Sequence, residues 1–179
     1  MTLRDFNLIV STFRNRENDC ISELWYFLRE FGDRRIEASR TGLPGLIVAK
    51  TSLNPFEVVK QLREHVIEKP WDLRYILKIV PVARVVPTDL EKIAAAALEQ
   101  ASKIGEDETF KVDVHIRLSE LGKKELIECI APRIARKVNL SNPDWIIRID
   151  VIGDLTGVSV IKPEDEVSII KLRRISKAS

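Results

Sequence analysis

The sequence contains few of the residues that usually carry catalysis or bind metals. Its 179 residues include two histidines, two cysteines and one methionine. Neither His65 nor His115 has a second histidine or a cysteine at the spacing that a zinc site requires. Cys20 and Cys129 each lie in an apolar helical pattern and are far apart in the chain. We therefore expect buried, reduced thiols instead of a metal or redox motif.

Loops that bind phosphates or carry nucleophiles are missing as well. The chain has no G-x-S-x-G elbow, no G-x-x-x-x-G-K-[ST] loop and no dinucleotide fingerprint, and its glycines are isolated turn formers. The acids Glu164, Asp165 and Glu166 fall in a polar turn, where solvated side chains are expected. The sequence therefore predicts no enzymatic activity and no cofactor, although a dispersed active site would leave no local signature.

Long hydrophobic runs and a strong net charge are also absent. No segment approaches the length of a membrane span, and the N-terminal MTLRDFNLIV lacks the apolar core of a signal peptide, so we expect a cytoplasmic protein. The formal net charge is only +2, so a basic surface must come from local clusters. Little Gln, Met and Cys beside 31% charged residues favours an archaeal or thermophilic source.

The N-terminal half alternates strand and helix patterns in the order β-α-β-β-α-β. DFNLIVSTF predicts a strand, and the helix pattern after it is capped by Asn18 or Asp19 and ended by Gly32. RRIEASRT and GLIVAKTS predict two strands joined by the turn TGLPG. Asn54 caps a helix that stops before Pro70, and YILKIVPVARVV predicts the fourth strand. This order is that of a ferredoxin-like unit.

The second half predicts a unit of the order α-β-α-β-β-β. A capping box from Thr88 to Glu91 opens its first helix, and FKVDVHIRL alternates as a strand. The helix KKELIECIAPRIARKV contains Pro132, which must kink the helix or end its first part. The hairpin of residues 142–163 and a last strand, VSIIKLRR, complete the unit.

The hairpin NPDWIIRIDVIGDLTGVSV has the most regular pattern of the chain. We interpret it mainly as architecture, because Trp145 begins a strand of alternating apolar residues, and Gly153 and Gly157 permit a tight return. Trp145→Ala should therefore mainly unfold the unit, at a cost of about 3–5 kcal/mol. Arg148 has two open interpretations, a contact with a nucleic acid or a cross-strand pair with an acid.

Basic residues cluster in three segments of the second half. Arg133, Arg136 and Lys137 share one stripe of the predicted helix, because they are spaced i, i+3, i+4. The polar face of the strand FKVDVHIRL and the C-terminal KLRRISKAS add further cations. Such clusters neutralise phosphates or form an ordinary solvated surface, and composition does not decide between the two. The N-terminal strands lack an aromatic stacking pair, which argues against base stacking as in an RRM.

Four segments carry a resemblance to a known family: YILKIVPV, FKVDVHIRL, KELIECIAPRIARKV and, above all, the hairpin with the trailing KPEDEVSIIKLRR. From about residue 6 to about residue 174, the chain resembles the stand-alone THUMP-domain tRNA adaptors of cytidine acetylation. Enzymes with a THUMP domain continue into a catalytic domain, which we do not expect here. The resemblance implies an α+β chain with a ferredoxin-like unit over 1–84 and an α/β THUMP unit over 85–175. The THUMP unit is alternatively counted from about residue 65, and residues 176–179 form a basic tail.

The resemblance also implies a non-catalytic function in tRNA modification. The two units together would hold the acceptor stem and single-stranded 3′ end of tRNA. They would present it to a separate RNA cytidine acetyltransferase, which uses acetyl-CoA and ATP to form 4-acetylcytidine, while the chain itself would bind neither. The residues predicted to contact RNA are basic side chains of the second unit: Lys111, His115, Arg117, Lys123, Lys124, Arg133, Arg136 and Lys137.

One segment departs from the family pattern. Relatives often carry an Arg-x-x-His-Ser type stretch after the THUMP strand, whereas this chain has HIRLSELGKK, with His115 before Arg117 and an additional acid. The roles of His115 and Ser119 therefore stay open, and Arg117, Lys123 and Lys124 transfer more safely.

Two alternative functions also stay open at the level of sequence. The first is a tRNA-binding module for another modification enzyme, one of thiolation or methylation. The second is a ferredoxin-like regulatory module that senses a small molecule, which would require a pocket with polar groups that orient the ligand.

Overall fold

A computed structural model describes residues 3–178 of the chain and the side chains of residues 3–175. The chain divides into two compact units, which we call the N-terminal unit and the central unit. The N-terminal unit comprises Met1–Pro81 and Glu164–Ser179, and the central unit comprises Val82–Pro163. The C-terminal segment therefore groups with the start of the chain, whereas we expected the second unit to continue to residue 175.

The N-terminal unit has the predicted β-α-β-β-α-β order, which is confirmed. Its first six elements are β1 (Leu8–Ser11), α1 (Glu17–Glu30), β2 (Glu37–Arg40), β3 (Leu46–Lys50), α2 (Pro55–Glu68) and β4 (Lys78–Pro81). The strands are antiparallel in the order β4-β1-β3-β2. Apolar residues of both helices, such as Leu24 and Leu62, are buried in one core with Leu8 and Val10 of β1.

The ends of the two helices test three predictions. Helix α1 follows Arg16, which makes no side-chain cap, so the predicted caps Asn18 and Asp19 are wrong and lie inside the first turn. Gly32 follows the end of α1 with φ of 99°, a conformation that glycine adopts without strain, and this prediction is confirmed. The side chain of Asn54 accepts hydrogen bonds from the backbone at the start of α2, as predicted.

The predicted fourth strand, YILKIVPVARVV, is two strands in two different sheets. Strand β4 ends at Pro81, and β5 (Arg84–Pro87) pairs in the sheet of the central unit. Proline has no backbone N–H and cannot donate to a sheet ladder, so Pro81 is a natural end for β4. The apolar alternation continues across this break and therefore does not reveal it.

The central unit consists of one mixed sheet and two helices, which share one hydrophobic core. After β5 it contains α3 (Leu90–Gln100), β6 (Thr109–Arg117), α4 (Lys123–Ile130), β7 (Lys137–Val138), β8 (Trp145–Ile152) and β9 (Leu155–Ile161). The strand order is β5-β9-β8-β6-β7, and β6 runs parallel to β7 and β8. Residues of α3 and α4, such as Ile93 and Leu126, share the core with Phe110 and Ile147 of the sheet.

Pro132 ends the helix that contains it, one of the two outcomes that we expected. Helix α4 stops at Ile130, and Ala131–Arg133 form a 3₁₀ turn. The helical stripe predicted for Arg133, Arg136 and Lys137 is therefore wrong. The chain leaves the helix before these residues, because the proline ring clashes with the preceding helical turn.

The predicted hairpin is confirmed as β8 and β9, with one correction at its turn. Gly153 adopts φ of 61° between the strands, which explains the glycine. Gly157 lies inside β9 opposite Asp150, so its predicted part in the return is wrong. Trp145 donates its Nε1–H to Glu108, 3.0 Å away, and packs against the core of the central unit.

The predicted last strand, VSIIKLRR, is wrong beyond its first two residues. Strand β10 (Val167–Ser168) pairs with β4, and α5 (Ile169–Ala178) follows at once. Ile169 and Leu172 have helical spacing and are buried in the core of the N-terminal unit, which favours the helix. The side chains of the predicted basic tail, residues 176–179, lie outside the described part of the chain. None of the helices in residues 3–178, α5 included, is long and apolar enough to cross a membrane.

Candidate nucleic-acid interface

Strand β6 carries a row of charged side chains on one face. Residues alternate between the two faces of a strand, and Phe110 and Val114 of β6 point into the core. The polar residues between and beyond them are only partly buried. We call this set the β6 row, and its members are Lys111, Asp113, His115 and Arg117.

The middle of the β6 row is an acid–imidazole pair. Nε2 of His115 lies 3.1 Å from Oδ2 of Asp113. The hydrogen bond with His115 lowers the pKa of Asp113 to about 2, against the opposing effect of partial burial. The charges of His115, Arg148 and Lys111 act in the same direction as the hydrogen bond. Asp113 is therefore ionised at neutral pH and balances part of the positive charge of the row.

The end of the β6 row is bound to an acid of the neighbouring strand β8. Asp150 accepts hydrogen bonds from Nε and Nη2 of Arg148, at 2.8 and 3.1 Å, and from Nη1 of Arg117, at 3.2 Å. Arg148 and Asp150 are 4% and 2% exposed. Arg148 thus pairs with an acid, as one of our two interpretations held, but the acid is on its own strand. A buried arginine in this position has a structural role.

The start of α4 presents two exposed lysines after an irregular loop. Lys123 and Lys124 are the first residues of the helix, and Gly122 before them provides no side-chain cap. Lys124 is 3.9 Å from Glu128, one turn further along. Leu118 in the preceding loop has φ of 55° and an exposed side chain. Unsatisfied amides at a helix start favour anions, so these lysines stand where a phosphate would be stabilised.

The three cations of the predicted stripe are separated in the structure. Arg133 forms an ion pair with Glu91, at 3.2 Å, which raises the pKa of Arg133. Arg136 donates from Nε to the carbonyl oxygen of Ile104, 3.1 Å away. Lys137 begins β7 and is exposed. Two of these side chains are therefore held by the central unit itself.

The eight predicted residues differ in whether their side chains already bind another group of the protein. His115, Arg117 and Arg133 each pair with an acid, and Arg136 binds a backbone carbonyl. Lys124 lies 3.9 Å from Glu128, and the members of this set whose side chains form neither an ion pair nor a hydrogen bond with another of the residues 3–175 are Lys111, Lys123 and Lys137. Contact of any of the eight with RNA stays a prediction.

The structure contains a polar pocket that the sequence did not predict. It has a volume of about 370 Å³ and lies in the N-terminal unit, between the loop after β1 and the β2–β3 turn. We call it the turn pocket; Arg14, Glu17 and Arg40 are its charged residues. The sequence contains the TGLPG turn and these three charged residues, but no local pattern shows that they line one pocket. Within the described residues, no group of three or more His, Cys, Asp or Glu side chains could hold a metal ion.

A family comparison matches the central unit. Residues 87–161 match the model of the THUMP domain family. This stretch runs from the last residue of β5 to the last residue of β9, and it contains the β6 row and α4. This stretch of the central unit is therefore similar to THUMP domains. No curated protein matches the chain in sequence.

Three solved structures are similar to the chain in fold. PH1313 from Pyrococcus horikoshii Ot3 is 24% identical with a TM-score of 0.60, over 88% of this chain and 55% of that one. TrmN from Thermus thermophilus is 15% identical with a TM-score of 0.56, over 87% and 45%. A 4-thiouridine synthetase, in a complex with RNA and bound ATP, is 17% identical with a TM-score of 0.52, over 88% and 42%. The chain thus spans about half the length of these proteins, and such identities show the fold alone.

Proposed function

We propose that the chain is a non-catalytic, tRNA-binding adaptor that presents tRNA to a separate modification enzyme. The THUMP match over residues 87–161 is the observation that carries this proposal, since THUMP domains bind tRNA. The proposal that the chain is non-catalytic rests on its lack of catalytic motifs. The similar structure of a 4-thiouridine synthetase bound to RNA supports a function in tRNA modification.

The three lysines of the predicted set without an ion-pair partner among residues 3–175 lie along or beside β6. Lys111 lies near the start of the strand, Lys137 begins β7 beside it, and Lys123 follows the loop at its other end. A nine-residue strand spans roughly 30 Å, which is the length of several successive phosphates of an RNA strand. We infer that these lysines bind the tRNA backbone, and that the acid-paired residues of the β6 row hold the strand in place between them.

The partner that we propose is an RNA cytidine acetyltransferase. The support is the sequence resemblance to the THUMP adaptors of cytidine acetylation, which extends from about residue 6 to about residue 174. In this proposal the adaptor holds the acceptor stem and 3′ end, and the enzyme forms 4-acetylcytidine with acetyl-CoA and ATP. The competing proposal is service to a thiolation or methylation enzyme, and the 4-thiouridine synthetase among the similar structures favours that alternative.

The binding proposal is tested with purified protein and tRNA at two salt concentrations. We expect the dissociation constant to rise with salt and with removal of the 3′ end. The double variant Lys111→Ala/Lys123→Ala should weaken binding about tenfold at low salt and lower the slope of the log–log salt plot by about 2. Arg133→Ala/Arg136→Ala removes the same charge from partnered side chains and should weaken binding less. Wild-type binding no tighter than that of a generic RNA duplex would overturn the proposal.

The partner proposal needs a separate experiment. Purified RNA cytidine acetyltransferase is incubated with tRNA, acetyl-CoA and ATP, with and without the adaptor, and 4-acetylcytidine is measured by mass spectrometry of digested tRNA. We expect a yield that depends on the adaptor and falls with the Lys111→Ala/Lys123→Ala variant. Equal yields with and without the adaptor would exclude this partner. The same assay with a thiolation or methylation enzyme tests the alternative.

A further inference from the structure

Two pockets of the N-terminal unit adjoin at the turn after α2. The turn comprises residues 69–72, and the amide of Asp72 donates to the carbonyl oxygen of Lys69, 3.2 Å away. Asp72 lines a pocket of about 410 Å³ together with residues of α1, and Trp71 lines one of about 220 Å³ together with residues of α5. Because Trp71 and Asp72 are consecutive, the two pockets are neighbours on one surface, which we call the two-pocket face.

The two pockets have opposite charges. The pocket beside α1 is lined by Asp19, Glu23 and Asp72 and by no lysine or arginine, and we call it the acidic pocket. The pocket beside α5 is lined by Arg173 and Arg174 and by no acid, and we call it the basic pocket. Arg174 is exposed and forms no ion pair or hydrogen bond with another of the residues 3–175. The two-pocket face thus has a negative half and a positive half.

Two acids of the acidic pocket have a cationic neighbour outside it. Asp19 lies 3.2 Å from Arg16, and Asp72 lies 2.8 Å from His65. All four side chains are partly exposed, and water and salt weaken ion pairs in such positions. Neither Arg16 nor His65 lines the acidic pocket, so the surface of this pocket remains acidic.

Contacts on both sides hold the turn and the residues after it in place. Glu23 accepts hydrogen bonds from the three successive backbone amides of residues 74–76, at 2.8 to 3.0 Å. Arg173 donates from Nε to the carbonyl oxygen of Pro70, 2.7 Å away. Its guanidinium carbon lies 4.4 Å from the centroid of the Trp71 ring. The two-pocket face is therefore formed before any partner binds, which lowers the entropy cost of association.

Large apolar side chains are exposed in both pockets. Tyr26 of the acidic pocket is 61% exposed, and Trp71 and Ile170 of the basic pocket are 62% and 45% exposed. Tyrosine, tryptophan and arginine are the residues that contribute most of the binding energy of protein–protein interfaces. RNA fits this surface poorly, because the acidic half repels phosphates. A fitting partner is a protein surface with a basic area beside an acidic one.

A second copy of the chain has this pattern of charges. A two-fold axis that runs through the turn, in the plane of contact, places the acidic pocket of each copy opposite the basic pocket of the other. We propose that the two-pocket face is the interface of a symmetric homodimer, with Trp71 near its centre and Arg174 of each copy facing the acidic pocket of the other. This inference goes beyond the proposed function and is independent of it, since that function concerns residues of the central unit.

The first experiment is sedimentation velocity of the full chain at increasing protein concentration and at two salt concentrations. We expect a monomer–dimer equilibrium with a dissociation constant of about 10–100 μM, which rises with salt. Arg174→Glu and Asp19→Lys should each raise this constant about tenfold or more, because like charges then face each other. Arg34→Glu reverses an exposed arginine that lines neither pocket and should have little effect. A wild type that stays monomeric at several hundred micromolar would overturn the proposal.

An equimolar mixture of the two charge-reversal variants tests the symmetry. In a dimer of either variant alone, both contacts between residues 19 and 174 join like charges. In the mixed dimer, both contacts join opposite charges again. We therefore expect the mixture to dimerise within about threefold of the wild-type constant. A mixture that associates no better than the separate variants would contradict the two-fold arrangement.

The apolar centre is tested by a matched pair of tryptophan variants. Trp71→Ala should raise the dimer dissociation constant about tenfold or more, because a central aromatic residue dominates such interfaces. Trp25→Ala is the control, since Trp25 also contacts an arginine, Arg29, and lines neither pocket. Equal effects of the two variants would contradict the central position of Trp71.

The last measurement separates a protein partner from RNA on the basic pocket. We expect Arg174→Glu to bind tRNA about as tightly as wild type at protein concentrations below the dimer dissociation constant. A loss of tRNA binding without a change in dimerisation would assign the basic pocket to RNA and overturn this inference.

Discussion

The β6 row and the turn pocket contain the same kinds of side chain and differ in how their charges are satisfied. In and beside the β6 row, Arg117 and Arg148 share Asp150, and His115 is bonded to Asp113. In the turn pocket, Oε2 of Glu17 is buried and has no hydrogen-bond partner among the residues that the structure describes. An ion pair that is satisfied inside the protein holds the fold together, whereas a buried acceptor without a donor lowers the stability of the folded state. The number of charged side chains in a region is therefore a poorer guide to binding than the number that already have a partner within the protein.

The largest effect is expected from Asp150, which has a partner on either side. Asp150→Ala leaves the buried guanidinium of Arg148 without its main acid, and should lower the free energy of unfolding by about 3 kcal/mol. Arg117→Ala removes only the more exposed partner and should cost about 1 kcal/mol. Urea unfolding of both variants measures the two values. A cost below about 1 kcal/mol for Asp150→Ala would show that the pairing does not hold the fold together.

An effect of similar or slightly smaller size is expected at the glycines of the β2–β3 turn. Gly45→Ala combines a left-handed backbone with a Cβ that meets a backbone oxygen, and should destabilise the protein by about 2–4 kcal/mol. Gly42→Ala is the matched control, since Gly42 has φ of 86° and open space around its Cβ position, and should cost about 1 kcal/mol. Thermal and urea unfolding distinguish the two. Equal costs would mean that the close approach of Thr12 and Gly45 is unimportant to the turn pocket.

The smallest effect is expected from Asp113 and depends on pH. Its pKa is lowered to about 2, so the ionised carboxylate stabilises the folded state fully above pH 4, and this contribution is lost as the pH falls towards 2. Asp113→Asn should be about 1–2 kcal/mol less stable than wild type at pH 5, and the difference should shrink by pH 3. Urea unfolding at both pH values measures it.

The control for Asp113 is an exposed acid of the same unit. Asp107→Asn also removes one negative charge, outside the β6 row, and corrects for the change in net charge. A stability difference for Asp113→Asn that is the same at pH 3 and pH 5 would contradict the pairing with His115. His115→Leu should reproduce the loss of pH dependence, because it removes the donor that lowers the pKa of Asp113.

Local patterns predicted the parts of this fold that local chemistry determines. The cap at Asn54, the end of α1 at Gly32 and the β8–β9 hairpin follow from neighbouring residues, and all three are confirmed. The helix ending before Pro132 follows from the same kind of reasoning. The last segment was wrong because its apolar residues fit both a strand and a helix, and packing in the N-terminal core selects the helix.

The candidate site was less predictable, because pairing depends on distant residues. Arg133 was recognised as part of a basic cluster, but its partner Glu91 lies on α3, 42 positions earlier in the chain, and no local pattern joins the two. The turn pocket is a stronger example, since Glu17 and Gly45 meet only after β1 and β3 have paired. The sequence thus identifies the charged residues, and the pairing of the strands determines which of them have a partner within the protein.

The return of the chain to the N-terminal unit has a consequence for synthesis on the ribosome. Strand β10 pairs with the edge of β4, yet the whole central unit lies between these two strands in the chain and is translated before β10. At roughly 5–20 residues per second, the edge of β4 waits roughly 5 to 20 seconds for its neighbour. During that interval the central unit emerges as one uninterrupted segment, while the unit that began first is completed last. We therefore expect nascent chains halted before β10 to expose an unpaired strand edge, a surface on which chaperones act.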